Sequence, residues 1–196
     1  MSLFVPPPPP GGLEVINKAL GDLGTRPSTA ARAMEDAAPE DIAVAAPHPV
    51  YFLGLEDVAS GGGLSAAKLV SWRYILLNGD NSLAAAEVSL EEGEGLEFSH
   101  VNQGPFVGAT VEGVGIAEGL DEVSRNDYEL RLLKIPGLYI VALWLHADQQ
   151  DILIPLAPAP SVLTPNIPYS ETDFIEAVQP AASNRLQHEE DDLAGG

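Results

Sequence analysis

Pro136-Gly137 separates two runs, 128–135 and 138–145, built from the aliphatic and aromatic residues that strands favour, and this pair constrains the fold more than any other part of the chain. The dipeptide suits the two central positions of a type II turn. In the first run Glu129 and Arg131 alternate with Tyr128, Leu130 and Leu132, the pattern of a half-buried strand. The second run, Leu138 to Leu145, is apolar on both faces and reads as a central strand. After a polar turn, His146 to Asp151, the segment Ile152 to Leu156 returns as a third strand, and Pro155 consigns its end to a sheet edge. This meander is the expected centre of the fold.

Around it the signals are weaker. Leu69 to Leu77 reads as a strand closed by the hairpin dipeptide Asn78-Gly79, with Leu83 to Leu90 returning, although three successive alanines there favour a helix almost as well. Pro39, Pro47 and Pro49 punctuate a connection into the apolar run Val50 to Leu55, and a loop follows at Gly61-Gly62-Gly63. Leu13, Ile16, Leu20 and Leu23 share one face of a short helix ended by Gly21 or Gly24, and Ser28 or Thr29 caps an alanine-rich helical segment reaching Ala37. Residues 106–123 carry Val107, Val111 and Val114 at helical spacing. The interior glycines of this stretch require close packing on a sheet if the helix is to stand. Prolines 158, 160, 165 and 168 mark an irregular crossover into a helix that begins with the pattern of a capping box at Ser170 and Asp173, buries Phe174, Ile175 and Val178, and ends at Pro180.

Pro6 to Pro10 followed by two glycines form a short polyproline rod, which makes residues 1–12 an arm whose apolar tip, Leu3 to Val5, docks on the domain or on a neighbouring subunit. Residues 181–196, with Glu189 to Asp192 in a row, read as a disordered acidic tail. The expectation is therefore one α+β domain over residues 13–180: an antiparallel sheet of about four to six strands from residues 50–157, with helices packed on one face.

Charge restricts the partners. Twenty-nine acidic residues against nine basic ones give a formal net charge of -20, which disfavours phosphate backbones and anionic bilayers and leaves basic proteins and cations as better partners. The chain has no cysteine, so disulfides, thiol catalysis, iron–sulfur clusters and thiolate zinc sites are excluded together. No export signal or spanning segment is visible, and the expected location is cytoplasmic.

Four dispersed histidines lack metal-ligand spacing. No P-loop, nucleophile elbow, dinucleotide fingerprint or calcium loop occurs, and neither a metal nor a cofactor is expected. Glu91, Glu92, Glu94 and Glu97 read as a solvated acidic loop. Three clusters remain as ligand-binding candidates: His100, Asn102 and Gln103 before Gly104-Pro105; Glu129 with Arg131 on one strand face; and Trp144 with His146 at the end of the apolar run. Each has a plainer reading, as loop, solvated strand face and core respectively. The leading functional expectation is an interaction or regulatory domain that binds another protein, through a basic surface of that partner. The alternatives are a small-molecule-binding or hydrolytic domain with a pocket between sheet and helix, near His100, Asn102, Glu129 and Arg131, and a structural subunit of a homo-oligomer that uses its N-terminal arm.

Overall fold

The computed structural model describes residues 3–23, 41–79, 81–91 and 95–194. The alanine-rich segment capped at Ser28 or Thr29 lies outside them, as do residues 92–94 of the acidic loop.

The fold is α+β, with a nine-stranded, mostly antiparallel open sheet and five helices among the described residues. The strands are β1 (Leu3–Phe4), β2 (Ile42–Phe52), β3 (Lys68–Asn78), β4 (Asn81–Glu91), β5 (Gly95–Asn102), β6 (Tyr128–Ile135), β7 (Ile140–His146), β8 (Ile152–Pro155) and β9 (Tyr169–Ser170). Their order is β5-β4-β3-β2-β6-β7-β8-β9, with β1 beside β6. The helices are α1 (Gly12–Leu23), α2 (Leu55–Ala59), α3 (Pro105–Glu118), α4 (Asp121–Arg125) and α5 (Glu171–Ala194). The strand count exceeds the expected four to six because β5 forms over Gly95–Asn102, taking in Glu97 of the expected acidic loop, and the two-residue strands β1 and β9 add pairings beside β6 and β8.

β2 holds the two halves of the sheet together. It tolerates Pro47 and Pro49 because the ladder shifts register between Ala45 and His48, where Ala46 takes a positive φ of 47°. Beyond this bulge, Val50, Tyr51 and Phe52 pair antiparallel with β3 and at the same time parallel with Leu132, Leu133 and Lys134 of β6. The start of β6 is then left uncovered on that side. Leu3 and Phe4 fill it, pairing with Tyr128 and Glu129, so the arm's tip docks on its own domain.

Helices cover both faces of the sheet, not one. Successive residues of a strand face opposite ways, and in β6 Leu132 packs with Ala109 of α3 and Val123 of α4 whereas Leu133 packs with Val58 of α2 and Phe174, Ile175 and Val178 of α5. β7 divides in the same way, Leu143 and Leu145 toward α3, Ala142 and Trp144 toward α5. A strand apolar on both faces requires this arrangement. On the other half-sheet α1 lays Ile16 against Trp72, Tyr74 and Leu76, and α3 lays Val107 against Ile75 and Ala85 from the opposite side. The three alanines of β4 are fully buried between those helices, where larger side chains would push them off, and packing overrides their helical propensity.

Several local expectations change. The 136–138 reversal is a 3-10 turn in which Tyr139 N–H donates to Pro136 O (3.1 Å) and Tyr139 itself adopts φ 55°, so β7 begins at Ile140 and pairs it with Ile135. Residues 106–123 form two helices rather than one. Asp121 and Glu122 thereby stand in the first turn of α4, where carboxylates suit the helix dipole. The buried stripe of α3 is Ala109, Gly113 and Ala117 with Val107 and Thr110, while Val111 is exposed. α5 starts at the expected cap, Asp173 N–H donating to Ser170 Oγ (3.1 Å), but Pro180 lies inside it and the helix continues to Ala194.

Of the three interior glycines in α3, only Gly113 answers to close approach. A Cβ there would come within 2.8 Å of Leu143 Cδ1 and 2.9 Å of Leu156 Cδ2, whereas nothing lies within 4 Å of one at Gly115. Gly113→Val should therefore lower unfolding free energy by about 1–3 kcal/mol through overpacking, and Gly115→Ala should raise it by about 0.5–1 kcal/mol through helix propensity. Urea titration of the two variants measures both, and equal effects would contradict this placement of α3.

Candidate anion-binding cavity

Four strands present one lateral row of polar side chains on the face covered by α3. Cα pairing aligns His48 of β2 with Arg73 of β3, Arg73 with Glu87 of β4, and Glu87 with His100 of β5. His48, Arg73 and Glu87 are 1%, 2% and 3% exposed. Lys134 of β6 reaches into the row from beside Phe52, its ammonium 5.8 Å from that ring and donating to Glu87 Oε1 at 2.6 Å. Ser71 Oγ donates to Glu87 Oε2 at 3.2 Å.

The row is held by electrostatics that work against burial. Burial pushes the Glu87 carboxyl up, but the ion pair and hydrogen bond with Lys134, together with Arg73 and His100, outweigh it and hold the group below the usual carboxylate range. Arg73 is pushed down by burial, with Glu87 opposing, and a guanidinium remains charged regardless. Because Lys134 has taken Oε1, Arg73 Nε stands 4.0 Å from that oxygen and has no hydrogen-bond partner. A buried guanidinium and a half-buried ammonium thus share one carboxylate.

Beside them lies a cavity of about 200 Å³, lined by Arg73, Lys134, Asn102, Gln103, Gly104, Phe106, Val107 and Val141. It sits where β5 turns into α3. Gly104 makes that turn at φ 134°, no side chain caps the helix, and Phe106 and Val107 of its first turn, at the positive end of the helix dipole, belong to the lining. Asn102 Nδ2 donates to His100 Nε2 (2.8 Å), which leaves the His100 ring proton on Nδ1, within 2.8 Å of Ser99 Oγ. Chemically the cavity offers a guanidinium, an ammonium, two carboxamides and a helix N-terminus, all suited to a negative group.

Of the residues singled out from sequence, Asn102 and Gln103 line this cavity and His100 ends the row. Glu129, Arg131, Trp144 and His146 are brought together elsewhere, on the opposite face. The Arg131 guanidinium lies 4.9 Å from the Tyr51 ring and 4.7 Å from Trp144, and its Nε donates to Glu129 Oε1 at 2.7 Å. His146 Nδ1 lies 2.8 Å from Asp151 Oδ1, and Trp144 packs in the core under α5. The single pocket expected near His100, Asn102, Glu129 and Arg131 is therefore split by the sheet, because Arg131 and Lys134 leave β6 on opposite faces.

His48, Arg73, Glu87 and Lys134 were not singled out. Their signal in the sequence is a lone charged or imidazole group inside an apolar or proline-bounded strand segment, as in Trp72-Arg73-Tyr74 and Leu133-Lys134-Ile135. Among the described residues no group of three or more His, Asp or Glu side chains is placed to hold a metal ion, and no helix is long and apolar enough to cross a membrane. Comparison with protein-family models, curated proteins and solved structures finds no match.

His48 gives the row a pH signature. Its Nδ1–H donates to Ala46 O (2.7 Å), and its buried Nε2 has no partner. Burial lowers its pKa to about 4, Arg73 and Lys134 adding to the depression and the Ala46 hydrogen bond and Glu87 opposing it. Between about 6.5 and 4 the unfolded chain takes up a proton that the folded one refuses, so stability falls as pH falls through that window. Replacing His48 by Asn, which keeps a donor for Ala46 O, should remove roughly 1.5 kcal/mol of the stability lost between about pH 6.5 and pH 5. Denaturant titrations of both proteins at the two pH values measure this, and parallel slopes would mean that His48 titrates normally.

Proposed function

We propose that this protein is a binding protein for a small organic anion, held in the cavity between the sheet and the N-terminus of α3. The observation that carries the reading is the surplus of cation: the buried Arg73 and the half-buried Lys134, both lining the cavity, face one carboxylate, Glu87, and Arg73 Nε has no hydrogen-bond partner. A buried guanidinium N–H without an acceptor costs on the order of 1–3 kcal/mol, and an anion in the cavity beside Arg73 would offset the excess positive charge. Asn102 and Gln103 add amide donors. Binding is favoured over hydrolysis because no Ser or Thr lines the cavity, Ser71 is engaged with Glu87, and an imidazole with a pKa near 4 is a poor base at neutral pH. Recruitment of a basic protein by the acidic surface rests on composition alone.

The test is isothermal titration with butyrate at low ionic strength, using variants that change the cation count. Lys134→Met cancels the surplus and should weaken binding at least tenfold. Glu87→Gln doubles it and should tighten binding, and the double variant should return near the wild-type affinity. Affinity indifferent to all three, or no detectable binding of butyrate or of inorganic phosphate, would overturn the reading.

A further inference from the structure

Building on the anion reading, we infer that the bound anion is amphipathic: an alkyl carboxylate whose headgroup enters the Arg73–Lys134 cavity and whose hydrocarbon chain lies in the apolar groove that opens from it. The groove has a volume of about 740 Å³ and shares Phe106, Lys134 and Val141 with the polar cavity, so the two adjoin at these side chains, with the charge on the cavity side. Beyond the shared residues its wall is Phe52, Leu138, Tyr139 and the 158–160 segment, with no second charged side chain. Phe52 is 39% exposed and Tyr139 79% exposed. Exposed aromatics lining a concavity are informative in a way that isolated ones are not.

Three features select a hydrocarbon chain over other occupants. Lys134 stands at the junction, its ammonium paired with Glu87 and near the Phe52 ring, so a headgroup drawn to Lys134 and Arg73 leaves its chain directed over Phe52. Prolines 136, 158 and 160 in the wall have no N–H to donate, so the wall is poorly suited to pairing with a peptide backbone laid in the groove. The cation surplus is one charge, which a monocarboxylate neutralises and a dianionic phosphate monoester overshoots. Pocket and groove together resemble small-molecule sites generally, mostly apolar with a few convergent polar groups that fix orientation.

The experiment is a titration of the intact protein with straight-chain carboxylates from butyrate to dodecanoate, alongside dodecanol and dodecyl phosphate. Affinity should rise about two- to fourfold per added methylene, dodecanol should bind at least tenfold more weakly than dodecanoate, and dodecyl phosphate should not exceed dodecanoate. Leu138→Gln should flatten the chain-length dependence, whereas Lys134→Met should weaken every member of the series together. Butyrate binding with affinity flat along the series would overturn the amphipathic inference and leave the anion site standing. Loss of binding by every carboxylate would overturn both. Dodecanol binding as tightly as dodecanoate would show an apolar groove without a headgroup site, and tighter binding of dodecyl phosphate would replace the carboxylate by a phosphate monoester.

Discussion

Three residues, Val50 to Phe52, carry the continuity of the sheet. They belong to a strand that pairs antiparallel on one side and parallel on the other, and without them the β3–β5 hairpins and the β6–β8 meander would have separate edges. The bulge at Ala46 makes this possible. It lets Pro47 and Pro49 occupy a strand that is not an edge, and its register shift sets His48 opposite Arg73. The parallel pairing also brings Phe52 level with Lys134 and so aims the ammonium across β2 and β3 at Glu87. The same backbone irregularity thus joins the half-sheets and assembles the polar row.

That row is an expensive way to build a core. A buried ion pair seldom stabilises more than apolar side chains of the same volume would, and removing one partner leaves an uncompensated charge. Here the imbalance is already built in: one carboxylate serves two cations, a guanidinium N–H is unsatisfied, and the neutral imidazole of His48 keeps a buried lone pair without a donor. Elsewhere buried charge is matched. Arg131 lies beside the edge-to-face pair Tyr51 and Trp144, 4.9 and 4.7 Å from their ring centres, and is paired with Glu129, which compensates its charge. Arg131 and Arg73, two strand arginines on opposite faces, thus differ in that only the first has its charge matched within the fold.

The meander was legible because its signals are local: alternation in 128–135, uniform apolarity in 138–145, and a turn dipeptide between them. The two-sided burial of β7 was also present in that uniform apolarity, since a strand apolar on both faces needs cover on both, and helices on one face alone contradict it. What could not be read was set by tertiary context. Ala84 to Ala86 look helical until helices are known to press on them from both sides, and Val111 looks buried until the small residues Ala109, Gly113 and Ala117 are seen to let α3 lie close. His100, Asn102 and Gln103 stood out because they cluster along the chain. Arg73, Glu87 and Lys134 did not, because their association is across strands distant in sequence, and a single charge in an apolar run does not name its partner.

The acidic surface and the cationic cavity act at different ranges. A net charge of -20 repels an approaching anion at distance, but in physiological salt that field is screened beyond about 8 Å. At the cavity Arg73 and Glu87 are withdrawn from solvent, and in that less polarisable setting each of these charges acts more strongly than it would at the surface. On the binding function proposed above, recognition of an anion would depend on contact rather than attraction from afar: a ligand would have to reach the cavity before the cations are felt. An apolar groove adjoining the cavity would supply what the electrostatics withhold, because burial of hydrocarbon is indifferent to the sign of the surrounding field. On the same proposal, the acidic exterior, the groove and the cation surplus together would favour ligands that carry both an apolar chain and a single negative charge over ions that carry charge alone.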